Sequence, residues 1–138
     1  MKLYPISENH LYQKAYKNGR RASSRSVTVY VLKDRAAALL RKRDPAGRTI
    51  NRVGISASKK IGGAVERNRA KRVIREALRQ IDREYDVKKG WLVVIAARYH
   101  ATVLKTQDVY RDLLYCLGKA EMLNERSDAT PPPPGDPS

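Results

Sequence analysis

The chain has 138 residues, of which 41 % are hydrophobic, and this length is typical of one domain with a modest core. Its 29 Lys and Arg against 14 Asp and Glu give a formal charge of +15, which favours a nucleic-acid partner. The sequence has no apolar run of the roughly 18 residues that span a bilayer and no signal segment, so we predict a cytoplasmic protein without a membrane partner. The single cysteine, Cys116, excludes an intrachain disulfide, and its apolar neighbours predict plain burial.

The N-terminal part of the chain predicts one helix and one strand. Residues 7–17 place apolar and aromatic side chains on one stripe of a short helix, with Ser7 as its N-cap. Residues 26–33 have the two-residue period of a strand with one face buried more deeply, so Tyr30 is expected to point opposite to Val29.

The middle of the chain predicts a long connection, a strand and a long helix. Residues 34–51 contain an Ala and Leu run, the basic cluster 41–43 and two breakers, which indicates a loop outside the sheet with room for one helical turn. Residues 52–57 form the next predicted strand. A helix is expected from about residue 64 to 85, with glycine as its N-cap.

The C-terminal part predicts a central strand, a helix and a tail. Residues 91–97 are continuously apolar, as in a strand covered on both faces. Residues 106–123 have helical apolar spacing, with Thr106 or Asp108 available as cap. Residues 124–138 are acidic and proline-rich, and we expect them to be disordered.

These elements define the predicted fold class. Their order is helix, strand, strand, helix, strand, helix, which indicates an α+β domain with a small mixed sheet of three to four strands packed against helices. Residues 1–123 form one predicted RNA-binding domain, and residues 34–51 form its extended loop.

The long helix carries a basic surface beside the apolar arc that is expected to pack on the sheet. At 100° per residue, this neighbouring arc holds Asn68, Lys71, Arg72, Arg75, Arg79 and Arg83. Arg67 and Arg69 join Asn68 in the first turn, where free backbone N–H groups and the helix dipole favour a phosphate. Lys59 and Lys60 precede this turn. A solvated charged face is the alternative, but few acids are interleaved and the whole chain is basic, which favours an RNA site.

Three tyrosines offer a second type of contact with RNA. Tyr12, Tyr16 and Tyr30 present π-faces on which unpaired bases can stack. Ordinary core packing is the simpler alternative for these rings.

The residues needed for protein-based catalysis do not form a recognisable group. His10 and His100 lack metal-ligand spacing, and the acids are scattered singly, so we predict no catalytic or metal site on the chain. Glu76 and Asp82 are expected to pair with Arg72, Arg79 or Arg83 within their helix. No phosphate-binding glycine loop is present.

The stretch VGISASKKIGGAVERNRAKRVIR, residues 53–75, closely resembles the signature of the bacterial ribonuclease P proteins, including their Arg-Asn-Arg helix. Residues 11–19 resemble the first helix of that family with its two spaced aromatics, and Ala97-Arg98 resembles the end of its apolar strand. The resemblance covers roughly residues 6–120. The long 34–51 connection and the acidic tail depart from the family, and their roles stay open, with further RNA contacts by the basic cluster 41–43 as one possibility.

The resemblance implies a left-handed βαβ crossover and a division of labour. The basic helix would dock on the catalytic RNA, and a cleft between the first helix and the sheet would hold the single-stranded 5′ leader of precursor tRNA. Carried over by position, the implied contacts to the catalytic RNA are Lys59, Lys60, Arg67, Asn68, Arg69, Lys71, Arg72 and Arg75. The implied leader contacts are Tyr12, Tyr16 and Tyr30.

The resemblance also implies where the chemistry takes place. The chain would be a subunit of an endoribonuclease whose RNA holds the active site and the required magnesium, while the protein itself binds no cofactor and no small-molecule substrate. Two alternatives lead to different expectations. A ribosomal or ribosome-assembly protein would bind structured RNA without assisting a reaction, and a self-sufficient nuclease would cleave without RNA.

Overall fold

The structure is a computed structural model that describes residues 3–124 as one mixed sheet with helices on both faces. The strands are β1 (Tyr4–Pro5), β2 (Arg20–Ser23), β3 (Val27–Lys33), β4 (Arg52–Ser56) and β5 (Trp91–Ala97). The helices are α1 (Asn9–Asn18), α2 (Ala37–Leu40), α3 (Ala64–Glu84) and α4 (Thr106–Lys119). Short 3₁₀ turns cover Arg41–Arg43, Lys59–Ile61 and Tyr99–Thr102.

The sheet confirms the predicted α+β class but has one strand more than the upper prediction of four. The strand order is β1-β4-β5-β3-β2, with β4 parallel to β1 and β5, and β3 antiparallel to β5 and β2. The strands β1 and β2 have only two and four residues, too few to show a periodic pattern in the sequence. β5 is central, as predicted. The connection from β4 to β5 runs through α3, and the left-handed sense of this crossover stays a prediction.

The two faces of the sheet are covered unequally. Val27, Val29 and Val31 are at most 1 % exposed and belong to the large core formed with α3 and α4. The alternate side chains of β3 face a smaller core with α1, where Tyr30 is half-buried. The predicted difference in depth between the two faces of β3 is therefore confirmed.

The helix ends differ from the predictions. Glu8, not Ser7, is the N-cap residue of α1, and the Ser7 hydroxyl lies 3.4 Å from the Glu8 carboxylate. Lys105 is the N-cap residue of α4, so neither predicted cap, Thr106 or Asp108, is used. The Lys105 carbonyl accepts hydrogen bonds from the backbone N–H groups of Asp108 at 3.0 Å and Val109 at 3.2 Å. α4 ends at Lys119, earlier than expected, because the chain turns there and pairs Leu123 with Val87.

The prediction that Asp82 forms an ion pair within α3 is wrong. Its carboxylate binds the Lys89 ammonium at 2.8 Å, because the chain doubles back after α3 and brings Lys89 alongside. Within residues 3–124, no ion pair involves Glu76. The 34–51 segment lies outside the sheet and contains a helical turn, as predicted. Residues 125–138 of the predicted tail lie outside the described residues.

Candidate nucleic-acid interface

The three predicted tyrosines meet on the α1 face of the sheet. Tyr12 and Tyr16 are one helical turn apart on α1, which is anchored by Leu11 and Ala15 in the smaller core. The ring centroids of Tyr12 and Tyr16 are 6.5 Å apart, and those of Tyr16 and Tyr30 are 5.0 Å apart at an interplanar angle of 76°. We call these three rings the tyrosine platform. Tyr12 and Tyr30 are half-buried, whereas Tyr16 is 37 % exposed, so the platform is a surface rather than closed core.

The strand β4 forms the wall beside the platform. The Tyr12 ring lies directly on Gly54, where a Cβ atom would be 2.5 Å from the ring. Glycine therefore permits this close approach of ring and strand. Two residues further along β4, the Ser56 hydroxyl is hydrogen-bonded to the Tyr16 hydroxyl at 3.1 Å. Burial raises the pKa of the Tyr12 phenol, and the neighbouring Tyr16 raises it further, so the Tyr12 hydroxyl stays protonated at physiological pH.

A buried ion-pair group holds α1 at the start of β4. The Arg52 guanidinium donates to both carboxylate oxygens of Asp34 at 2.8 and 2.9 Å, and to Glu8 at 3.2 Å. Arg52 and Asp34 are almost fully buried, and Glu8 is the N-cap residue of α1. Although burial opposes ionisation, hydrogen bonds from Arg52 and the Ala36 N–H hold the pKa of Asp34 below its usual value. We call this group the Arg52 anchor; it ties α1 to β3 and β4.

Two polar residues of this face were missed from the sequence. Arg21 lies opposite Tyr30 in the register of β2 and β3, so its exposed side chain is on the same face as the platform. Ser56 contacts Tyr16 directly. Arg21 was missed because β2 was not identified as a strand. The basic pair Arg20-Arg21 directly after the helix-ending Gly19 was the available signal.

The predicted basic helix lies on the opposite face of the sheet. Its apolar arc is buried as expected and consists of Ala70, Val73, Ile74, Ala77, Leu78 and Ile81. Asn68 and Arg72 are exposed, and Lys71 and Arg75 are half-buried. The 21 residues of α3 form a rod about 30 Å long. Its basic side chains are therefore spaced along a rigid support, as contacts to successive phosphates require.

The first turn of α3 is partly occupied by its own side chains. Gly63 is the N-cap residue, as predicted, and its N–H donates to the Glu66 carboxylate at 3.2 Å. Gly62 has φ +153°, and a Cβ there would lie 2.8 Å from the Glu66 Cβ, so glycine fits this turn. Lys59 and Lys60 are exposed just before it. This end of α3 therefore offers an anion its cationic side chains more than free backbone N–H groups.

Arg67 and Arg69 are partly used by the fold itself. The Nε atom of Arg67 donates to the Gly63 carbonyl at 3.3 Å. The two terminal nitrogens of Arg69 donate to the carbonyls of Ala101 at 3.2 Å and Leu104 at 3.0 Å. Arg69 therefore ties α3 to the loop before α4, and its predicted contact with RNA stays a prediction.

Residues 3–124 contain no cluster of three or more His, Cys, Asp or Glu side chains that could hold a metal ion. No helix in that range is long and apolar enough to cross a membrane. Burial raises the pKa of the Cys116 thiol to about 11. The candidate interface therefore consists of cations, hydroxyls and aromatic rings.

The fold and these two surfaces define a small, strongly basic α+β protein with an aromatic cleft on one sheet face and a cationic helix on the other. A family model described as Ribonuclease P matches residues 1–121. The ribonuclease P protein component of Exiguobacterium sp. is 37 % identical over 121 residues, covering 88 % of this chain and 93 % of the relative. That of Dehalococcoides mccartyi strain 195 is 43 % identical over 86 residues, covering 62 % of this chain and 68 % of the relative.

A solved structure agrees with these sequence relatives. The RNase P protein of Staphylococcus aureus is 30 % identical and superimposes with a TM-score of 0.67 over 89 % of this chain and 100 % of that chain. The chain belongs to the family of bacterial ribonuclease P protein components.

Proposed function

We propose that this chain binds the catalytic RNA of ribonuclease P and the 5′ leader of precursor tRNA, and so assists removal of the leader. The observation that carries the proposal is the continuity of the tyrosine platform, whose ring centroids are 6.5 and 5.0 Å apart on a partly open sheet face. The family assignment favours this function over that of a ribosomal or ribosome-assembly protein. The proposed location is cytoplasmic.

The leader binds in the cleft between α1 and the sheet in this proposal. Stacking on an aromatic ring contributes about 1–3 kcal/mol per base and tolerates any sequence, because every base has a π-face. Tyr12 and Tyr16 supply the faces, Tyr30 supports Tyr16 edge-on, and Arg21 neutralises a leader phosphate. Only the precursor has a leader, so this energy favours substrate over product.

The catalytic RNA binds the basic surface of α3. Lys59, Lys60, Asn68, Lys71, Arg72 and Arg75 contact its phosphates and riboses, while Arg67 and Arg69 do so with the donors that the fold leaves available. Each phosphate that is neutralised releases counterions, so the affinity falls steeply with salt. The same charge reduces RNA repulsion and thereby lowers the magnesium concentration that cleavage requires.

The chemistry takes place on the RNA. Water attacks the phosphorus at the cleavage point, the 3′-oxygen of the leader leaves as a hydroxyl, and the tRNA keeps the 5′-phosphate. Magnesium bound by the RNA would supply the activation of this water and the stabilisation of the leaving oxygen. The protein contributes binding energy and orientation; it supplies no catalytic residue and binds no cofactor.

The test is cleavage of a 5′-labelled precursor tRNA at low magnesium and physiological salt. A bacterial ribonuclease P RNA is assayed with the protein and without it, and the protein is assayed alone. We expect release of the intact leader only from the mixture. Failure of the protein to help the RNA would favour the assembly-protein alternative, and cleavage by RNA-free protein would indicate a self-sufficient nuclease.

A further inference from the structure

Three side chains along α1, counted from its N-cap residue and spaced by four residues, contact alternate residues of β4. The three pairs, from the start of the helix to its end, are Glu8 with Arg52, Tyr12 with Gly54, and Tyr16 with Ser56. The two repeats match, because four helical residues rise about 6.0 Å and two strand residues rise about 6.6 Å. We call these three contacts the α1 ladder. The helix therefore lies along β4 in a fixed register.

The first contact of the ladder starts from a cation that is itself fixed. The Arg52 guanidinium uses its Nε atom and one terminal nitrogen for the two carboxylate oxygens of Asp34, at 2.8 and 2.9 Å. Its other terminal nitrogen donates to the Glu8 carboxylate at 3.2 Å. The Arg52 side chain is 9 % exposed and that of Asp34 is 2 % exposed. The bond to Glu8 thus ties α1 to a point that is held within the sheet.

Glu8 occupies the N-cap position of α1, but its side chain does not cap the helix. It makes no hydrogen bond to the backbone of the first turn, although short polar side chains at this position commonly make one. The Glu8 side chain is 46 % exposed, so its ion pair with Arg52 adds little to the stability of the fold. Orientation of α1 is the property that this bond can still control.

The starting point and the depth of α1 are fixed without Glu8. The Ile6 N–H donates to the Val53 carbonyl at 3.1 Å, so the chain is held on β4 two residues before the N-cap residue. The apolar stripe of α1 packs into the smaller core and sets the depth of the helix. The α1 ladder lies on the neighbouring stripe and sets the rotation of the helix about its axis. This rotation decides which faces the tyrosine platform presents.

We infer that Glu8 is a positioning residue for the 5′ leader, because its bond to Arg52 sets the rotation of α1 and thereby the ring faces that the tyrosine platform offers to bases. The inference rests on the proposed function. Glu8 acts through the rings and does not itself touch the leader. A carboxylate beside a phosphate chain repels it, so the direct electrostatic effect of Glu8 on the leader has the opposite sign. Removal of the carboxylate therefore separates the two effects by their direction.

The test compares two variants with the same change in charge and chemistry. Glu8→Gln weakens the ion pair with Arg52, and Glu121→Gln weakens an exposed ion pair with Arg20, at 2.9 Å, just beyond the end of α4. Each variant removes one negative charge. Both carboxylates are exposed, so thermal unfolding of each variant is expected to stay close to that of the parent chain.

The measurement is the preference of the assembled enzyme for precursor over mature tRNA, taken as the ratio of the two dissociation constants. We expect Glu8→Gln to lower this preference roughly 2- to 4-fold, the range that an ion pair of this exposure can contribute. Glu8→Ala, which removes the acceptor as well as the charge, is expected to lose at least as much. Glu121→Gln is expected to keep the preference, and all three variants are expected to bind the ribonuclease P RNA like the parent chain. With Tyr12→Leu and Tyr16→Leu in place, Glu8→Gln is expected to have no further effect.

Four outcomes would overturn the inference. An unchanged or increased preference in Glu8→Gln would show that the carboxylate acts on the leader only by its charge or not at all, and an equal loss in Glu121→Gln would assign the effect to net charge. A further loss in the leucine background would show that Glu8 acts independently of the rings. A parallel loss of RNA affinity would show that the whole fold is disturbed. If the leucine variant itself keeps the parent preference, the proposed leader stacking fails together with the role of Glu8, so the two failures are distinguishable.

Discussion

The two faces of the sheet differ in how completely helices cover them. On one face, α3 and α4 bury Ile74, Ile95 and Leu113 completely. On the other, the ten-residue α1 buries Leu92 and Val94 but leaves Tyr16 more than one-third exposed. The same strands therefore supply a closed core on one side and a partly open aromatic surface on the other.

Because of this difference, the residues that stabilise the fold and the residues proposed to bind the leader lie on different faces of the sheet. Adjacent residues of β3 show it most directly, because Val29 is fully buried while Tyr30 is half-exposed beside Tyr16. Burial of apolar area stabilises the fold in proportion to the area removed from water. Substitutions on the α3 face should therefore act mainly on folding, and those on the α1 face mainly on the leader.

The largest effect is expected from Ile95→Ala on the α3 face. The side chain is fully buried in the large core, so its truncation leaves a cavity and should lower the free energy of unfolding by about 2–5 kcal/mol. Urea denaturation measures this loss. A value well under 1 kcal/mol would contradict the closed packing of that face.

The double substitution Tyr12→Leu with Tyr16→Leu should act on binding instead. It removes two stacking faces, each worth about 1–3 kcal/mol per base, and should reduce the preference of the assembled enzyme for precursor over mature tRNA at least 10-fold. The control, Tyr12→Phe with Tyr16→Phe, keeps both faces and loses only the hydroxyl contact to Ser56. Unchanged discrimination by the leucine variant would end the stacking role.

A smaller effect is expected from Gly54→Ala. The added methyl group occupies the position of the Tyr12 ring, so the ring must move away from β4 while the fold stays intact. We expect a several-fold loss of precursor preference, measured by competition between precursor and mature tRNA. In a Tyr12→Leu background the same change should have no further effect, and an undiminished loss there would show that Gly54 acts by another route.

The smallest effect concerns acid sensitivity of the turn around Asp44, whose carboxylate accepts hydrogen bonds from the N–H groups of Ala46 and Arg48 and from the Arg48 guanidinium. Hydrogen bonds from the Arg48 side chain and backbone lower the pKa of Asp44 to about 2. Because this folded-state pKa lies below the unfolded value, the stabilisation is present above about pH 4 and is lost as the pH falls toward 2. Amide signals of residues 44–48 in NMR spectra should move in this window. A midpoint near the unperturbed aspartate pKa would contradict these hydrogen bonds.

Regular elements could be predicted from the sequence, whereas contacts between them could not. The alternation in β3 indicated both faces of the sheet, and the apolar arc of α3 indicated its buried side. The edge strands β1 and β2 are too short to show a pattern of their own, and they form by pairing with β4 and β3. The bonds of Arg69 to the loop before α4 depend on tertiary packing, so a charge pattern alone could not reveal them.

The assignment of different binding functions to the two faces can be tested by making two measurements on each of two variants. Tyr12→Leu with Tyr16→Leu changes the platform, and Arg72→Gln with Arg75→Gln changes the basic helix. For each, the affinity for the ribonuclease P RNA and the precursor-to-mature preference are measured on folded protein. We predict that the leucine variant loses only the preference and that the glutamine variant loses mainly the RNA affinity. Equal loss of both properties in both variants would contradict a division of labour between the two faces.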